Sequence, residues 1–513
     1  MLQRINKREL LYFIEMSFLF GLVAHAFAFF NYLPSHDALN AVYASPVEDR
    51  LKYYTGRFCI PLLRKLFGPL VLPWVVGAVS LFLVACSAYF VCRILKINKK
   101  LHCTLVIAIM STNLTMTTMY ATYSHEMIYD MLALFLACYA AYAICNKCLR
   151  GGYIQAVLCV VIIAGLYQSY VFTITTLILL NHILLLMNGA RWKETFISGC
   201  KQIILIAIGV LIYFILYYMI CYFMQINMDP TKSMSDTNQL SFLSQILFVY
   251  RKAIRNLVFP YSILPVILVS GSSCILIGIT IFKLIKNFWK NSQNNKKRIK
   301  EFILMIILII VFPITSIGIA IINSYIHECM IYALWFTYCF AFAVIENQTE
   351  NQPDIKTQNK MFIFVAALIS ILIFNNILIA NTCYLKKSIE DRATLSVMTR
   401  VVDDLEDRDD YKMGETKLMF YGTGPYYIYL DGFEDVYQIT GVDFKAPIYD
   451  SNLWYYNCYQ AYFDYVLDYP AQTVSYEEFE SMLHLEEVRS IPAFPDKDYI
   501  QNINGVLVVN MGN

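Results

Sequence analysis

The chain has 513 residues, 58% of them hydrophobic, with a mean hydropathy of +0.52, which excludes an ordinary soluble domain and implies a polytopic membrane protein. A formal net charge of +2 over that length gives no basic surface on which to argue for nucleic acid. The 15 cysteines lie mostly in apolar segments, where a thiol acts as a small hydrophobe, and the lone Cys145-Asn-Lys-Cys148 lacks the second half of a zinc site.

In chain order, apolar runs of spanning length occur at Leu10 to Phe30, Leu70 to Leu95, Leu101 to Tyr120 and Ile128 to Ala143. Leu10 to Phe30 is long enough to span and is followed by no small-residue cleavage site, so it reads as a first transmembrane helix and not as a signal peptide. Tyr153 to Met187 is too long for one helix, and Tyr167-Gln-Ser-Tyr170 reads as a turn between two short ones. Further runs at Ile203 to Phe223, Leu257 to Phe282, Phe302 to Ile322, Met330 to Val344 and Met361 to Asn381 bring the total to about eleven crossings. Lys and Arg concentrate on alternate connections, beginning with Arg4, Lys7 and Arg8 and including the basic loop Lys283 to Lys300. This places the N-terminus in the cytoplasm and, with an odd number of crossings, the tail outside.

From Leu385 acidic residues outnumber basic ones. A soluble unit of about 130 residues can enclose its own core. Helical periodicity at Thr394 to Leu405 and Tyr476 to Leu485, with strand patterns at Lys417 to Tyr421 and Gly505 to Val509, predicts a small α+β unit. The expected division is 1–384, a mainly α transmembrane helical bundle, and 385–513, an extracytoplasmic C-terminal domain.

Polar groups collect at the outer ends of the helices. The first outer loop, Asn31 to Gly68, holds His36, Asp37, Lys52 and Arg57, then an amphipathic run, Phe58 to Phe67, suited to the membrane interface. Asp37 is a base candidate, although a short acid beside a helix is more often a cap. Arg57 suits a phosphate, since a guanidinium grips two oxygens and stays charged, with interfacial anchoring as the plainer role. His125 and Glu126 stand in a very short turn, and Tyr167, Gln168, Tyr170, His327 and Glu328 lie at equivalent helix ends. Ionisable groups at such depth are expensive, which points to a shared cavity; aromatic belts account for part of the pattern. There is no Gly-rich nucleotide loop and no His-Glu-x-x-His.

In order, Asp37, Tyr54-Thr-Gly-Arg-Phe-Cys-Ile-Pro61, Pro73-Trp74, Glu126, Gly165-Leu-Tyr-Gln-Ser-Tyr170, Arg392 to Asp407, Val488-Arg-Ser-Ile-Pro-Ala-Phe-Pro495 and Gly505 to Val509 resemble the type II O-antigen glucosyltransferases. These are membrane enzymes allied to the type C glycosyltransferases. The resemblance implies a GT-C-like fold in a bacterial cytoplasmic membrane and transfer of glucose from a polyprenyl-phosphate-linked donor to a surface polysaccharide. Asp37 would be the catalytic base, Arg57 and Lys52 would hold the donor phosphate, and Glu126 would hold the acceptor sugar or a metal. The resemblance also implies membrane lipid, a flippase and a donor-synthesising transferase as partners. His36 stands where a second acid is expected, and Glu126 where Asp is commoner, so the requirement for a divalent metal stays open. The competing readings are a transporter or flippase for a lipid-linked glycan, which predicts internal repeats and midplane charges, and a membrane-anchored binding protein.

Overall fold

The computed structural model describes residues 7–33, 35, 38, 45–67, 72–146, 151–226, 241–290, 298–322, 326–346, 355–422 and 456–512. Its first part is a helical bundle: α1 (Lys7–Phe30), α2 (Ser45–Tyr54), α3 (Cys59–Phe67), α4 (Pro73–Leu95), α5 (Lys100–Thr112), α6 (Leu114–Thr122), α7 (Met127–Cys145), α8 (Gly152–Leu166) and α9 (Val171–Met187). It continues with α10 (Trp192–Phe223), α11 (Phe242–Val258), α12 (Val266–Lys290), α13 (Ile299–Ile317), α14 (Ile319–Ile322), α15 (Phe336–Glu346) and α16 (Ile355–Glu406). Among the described residues nine helices, one of them formed by α5 and α6 together, are long and apolar enough to cross a membrane, and two shorter apolar ones lie between them. The chain is a multi-pass membrane protein.

Lipid tails are as apolar as leucine, so helices in a bilayer associate through close packing and hydrogen bonds, not through hydrophobic contrast. The tightest part of the bundle follows that rule. Helices α4 and α7 pack along one another, with Ala85, Ala88, Ala133, Ala137, Ala140 and Ala141 wholly inaccessible. Gly77 lets α1 approach α4, since a Cβ there would lie 2.6 Å from the Phe29 ring. The run read as a single span from Leu101 to Tyr120 is interrupted at Asn113. Its amide donates to the carbonyls of Ile109 and Met110 while its oxygen accepts from Met116 N, so one side chain closes α5 and starts α6.

The run Leu257 to Phe282, expected as one span, is two elements. Pro260 and Pro265 exclude a continuous helix. Helix α11 ends at Val258, Phe259 leaves the helical conformation, and the spanning helix α12 begins only at Val266. The Tyr153 to Met187 segment has the expected form, α8, a 3-10 turn at Gln168–Tyr170, then α9.

Helix α16 is 52 residues long, roughly 78 Å at 1.5 Å per residue, and the expected span Met361 to Asn381 and the tail helix Thr394 to Leu405 belong to this one element. Near its middle it is tied to α1 by Tyr384 Oη against His25 Nδ1 at 2.7 Å and by Asn381 Nδ2 to Val23 O at 3.2 Å. Its last turns enter the tail, which adds β1 (Lys417–Tyr421), α17 (Tyr456–Tyr462), β2 (Gln472–Thr473), α18 (Tyr476–Leu483), α19 (Glu486–Arg489), β3 (Ile500–Ile503) and β4 (Val506–Asn510). The sheet order is β2-β1-β4-β3, with β1 parallel to both neighbours and β3 antiparallel to β4. Alternation along β1 and β4 divides the core. Leu418, Phe420, Leu507 and Val509 join Met398, Val401 and Leu405 of α16, whereas Met419 and Val508 join Val488 and Phe479 on the other face.

Candidate active site

Four of the residues singled out in the sequence meet where α2 ends. Gly56, with φ +76°, closes α2: Gly56 N bonds Tyr53 O at 3.1 Å and Arg57 N bonds Lys52 O at 2.8 Å. This is a Schellman cap, which brings the residue after the glycine beside the one five positions earlier. Those two positions are usually apolar. Here they are Lys52 and Arg57, two cations held side by side by the backbone.

Glu126 compensates them. Its Oε2 accepts from Arg57 Nη1 at 2.9 Å, its Oε1 accepts from Lys52 Nζ, and His125 Nε2 lies 3.8 Å from Oε1. Glu126 is 5% exposed and sits at the N-terminal end of α7, where a negative charge also suits the helix dipole. Burial alone would push its carboxyl up, but the charges of Lys52, Arg57 and His125 and the bond from Lys52 outweigh it and hold the group well below the usual carboxylate range. Burial would likewise lower the Arg57 guanidinium, and Glu126 more than reverses that. The guanidinium face lies 4.5 Å from the centre of the Tyr167 ring. Its Nε is buried and has no hydrogen-bond partner.

The turn is braced from behind. The last carbonyls of α2 have no partner within the helix; Tyr217 Oη donates to Tyr54 O (2.6 Å), Gln168 Nε2 to Thr55 O (3.0 Å) and Tyr213 Oη to Gly56 O (3.1 Å). Gln168 also donates to Tyr213 Oη at 3.1 Å. A Cβ at residue 56 would lie 2.2 Å from that same hydroxyl, so glycine is required by space as well as by φ.

A second charged pair lies at the same end of the bundle. Glu328, wholly buried, accepts from Lys252 Nζ of α11 at 2.5 Å and from Tyr261 Oη at 3.3 Å. Its backbone carbonyl accepts from Thr115 at 2.8 Å. The neighbouring Cys329 Sγ lies 3.8 Å from Tyr167 Oη, which joins the two pairs. Burial pushes the Cys329 thiol up to about 12. His327 packs beside Tyr123, 6.4 Å between ring centres, and Tyr170 is buried against Tyr167 and Tyr332.

Of the residues expected to line a shared cavity, the structure thus gathers Lys52, Arg57, His125, Glu126 and Tyr167, makes Gln168 a brace, and places Tyr170, His327 and Glu328 nearby. His36 and Asp37 lie outside the described residues. Reading the sequence missed Lys252, Tyr213 and Tyr217. Lys252 was legible in the amphipathic period of Phe242 to Val258; the two tyrosines, four apart inside an apolar run, carried no such signal. Among the described residues no group of three or more His, Cys, Asp or Glu converges as a metal-ligand set, and Glu126 already serves two cations.

The fold and the cluster are those of a multi-pass helical membrane protein with buried cations gathered at one helix end. The chain belongs to a known family: the model of the glucosyl transferase GtrII family matches residues 26–345, well over half of the sequence. It is a glucosyltransferase. The match includes both charged pairs and stops before α16 and the tail. No curated protein and no solved structure matches the chain.

Proposed function

We propose that the protein transfers glucose from a polyprenyl-phosphate-linked donor to a surface polysaccharide, an O-antigen or similar glycan. The reaction takes place at the outer face of a bacterial cytoplasmic membrane, within a GT-C-like bundle at 1–384 that carries an extracytoplasmic domain at 385–513. The observation that carries this reading is Arg57. One edge of its guanidinium is fixed by Glu126 and its face by Tyr167, while buried Nε is without a partner and the Lys52 ammonium stands alongside. Such a fork, already oriented, suits a phosphate oxygen. Glu126 acts as the group that positions both cations, in place of the acceptor or metal role expected for it.

In the reaction the acceptor hydroxyl attacks the anomeric carbon of glucose, its proton passes to Asp37, and the bond from that carbon to the phosphate oxygen breaks. The departing polyprenyl phosphate gains negative charge, which Arg57 and Lys52 stabilise. Asp37 holds the role of base on its place in the first loop and on the family resemblance.

The test is transfer by purified protein in detergent from radiolabelled polyprenyl-phosphate-glucose, with nucleotide-linked glucose as control. Transfer from the lipid donor alone is expected. Transfer from the nucleotide sugar without lipid, or from neither, would overturn the reading. For the sidedness, a reporter active only outside the cytoplasm should be active when joined after Asn513 and silent near Gln293.

A further inference from the structure

Asp130 stands one turn beyond Glu126 on the same face of α7, where residues four apart are neighbours. It is 3% exposed. Buried carboxylates in folded proteins are nearly always hydrogen-bonded or paired, because an unpaired one loses its hydration for nothing in return. Glu126 obeys this with two cations. Asp130 does not: among the described residues its carboxylate accepts no hydrogen bond and forms no ion pair, although it lies within electrostatic range of Arg57, Lys52, Tyr167 and Tyr170. The Tyr170 hydroxyl, on a side chain 2% exposed, is also unpartnered, as is Arg57 Nε. Asp130 therefore lies within electrostatic range of two other buried groups without partners, the Tyr170 hydroxyl and Arg57 Nε.

We propose that Asp130 and the Tyr170 hydroxyl form the sugar subsite, gripping hydroxyls of the glucosyl unit while Arg57 and Lys52 hold the phosphate to which it is linked. This rests on the donor assignment above. A carboxyl group without a partner can accept from a sugar hydroxyl, and a tyrosine hydroxyl both accepts and donates. One helical turn between Glu126 and Asp130 is the scale of one pyranose ring. The pairing is also selective: a phosphate without sugar gains nothing from Asp130, so the subsite favours the glucosylated lipid over the product it leaves behind.

The experiment compares the parent protein with Asp130→Asn and Tyr170→Phe, in detergent and at full length, measuring KM for polyprenyl-phosphate-glucose and the inhibition constant of sugar-free polyprenyl phosphate. Asp130→Asn should raise the donor KM about tenfold, the effect of one lost hydrogen bond to a charged group. Inhibition by the sugar-free lipid should be unchanged or stronger. Tyr170→Phe should move the donor KM in the same direction by about threefold, on the order of a neutral hydrogen bond, and decides the matter if the Asn variant does not fold. A parallel loss for both lipids, a fall in kcat at constant KM, or no change would overturn the subsite. A parent protein inert towards the lipid donor would instead overturn the donor assignment, and the subsite with it.

Discussion

Two carboxylates at different places in the bundle, Glu126 buried and Glu346 partly exposed, show how a charge can be structural or available for binding. Glu346, at the end of α15, accepts from His102 Nδ1 at 2.5 Å and from the backbone amides of Asn98 and Lys99 at 2.7 and 2.8 Å. Fixed backbone donors complete it and lock the connection between α4 and α5. Glu126 is completed by two side-chain cations, and one of these keeps a buried donor to spare. Burial alone therefore does not mark a site. What marks it is a saturated acid with one partner, Arg57, that is not itself saturated, and an unpaired acid beside it.

The widest separation should come from Asp37→Asn, which keeps size and hydrogen bonding but removes the base. Transfer should fall by ~100-fold to ~10,000-fold at constant membrane level, measured as glucosylation in a deletion strain complemented with the variant. A helix cap in that place would leave it nearly silent, because Asn caps as well as Asp. Arg57→Ala should cost about 100-fold to 1,000-fold in transfer, as for other preorganised groups facing developing charge, with Arg57→Lys retaining part. Equal donor titrations for all three proteins would reduce Arg57 to a structural ion.

Glu126→Gln sharpens the contrast from the other side. It leaves Lys52 and Arg57 beside each other without compensation, so it should lower stability by about 3–5 kcal/mol, read as a fall in Tm, and reduce transfer as well. Because Glu126 is held below the usual carboxylate range, its stabilisation is present above the ordinary glutamate pKa and lost only as pH falls through the depressed folded value. The difference in Tm between parent and Glu126→Gln should therefore persist at about pH 4, where an ordinary surface glutamate is already titrating. Glu346→Gln should do least: stability falls by about 1–3 kcal/mol while transfer by the folded protein is unchanged. A matching loss of transfer would end the distinction between the two acids.

The sequence made most of the helices legible, because spanning runs and the turn at Tyr167 to Tyr170 are local patterns. It also brought forward Lys52, Arg57 and Glu126, but with Glu126 in a role apart from the two cations. Their pairing spans 69 and 74 residues, a separation that no local period encodes. The break at Pro260 and Pro265 was written in the chain, yet hydropathy ran through it and hid α11 and Lys252. Asn504-Gly505, with φ of +54° and +84°, is a hairpin signal that would have revealed β3 ahead of β4. Asp130 was visible only as a charge near a helix end; that it has no partner is a fact of three-dimensional packing.

Helix α16 runs from Ile355 to Glu406 without interruption. From Asn381, held against α1, to Leu405 in the core of the tail is roughly 36 Å along its axis. A helix of that kind is a ruler. The tail is kept at a set distance from the bundle, and inserting or deleting residues in this stretch changes that distance by about 1.5 Å and turns the tail by about 100° for each one. The reach of the enzyme is thus written in a residue count.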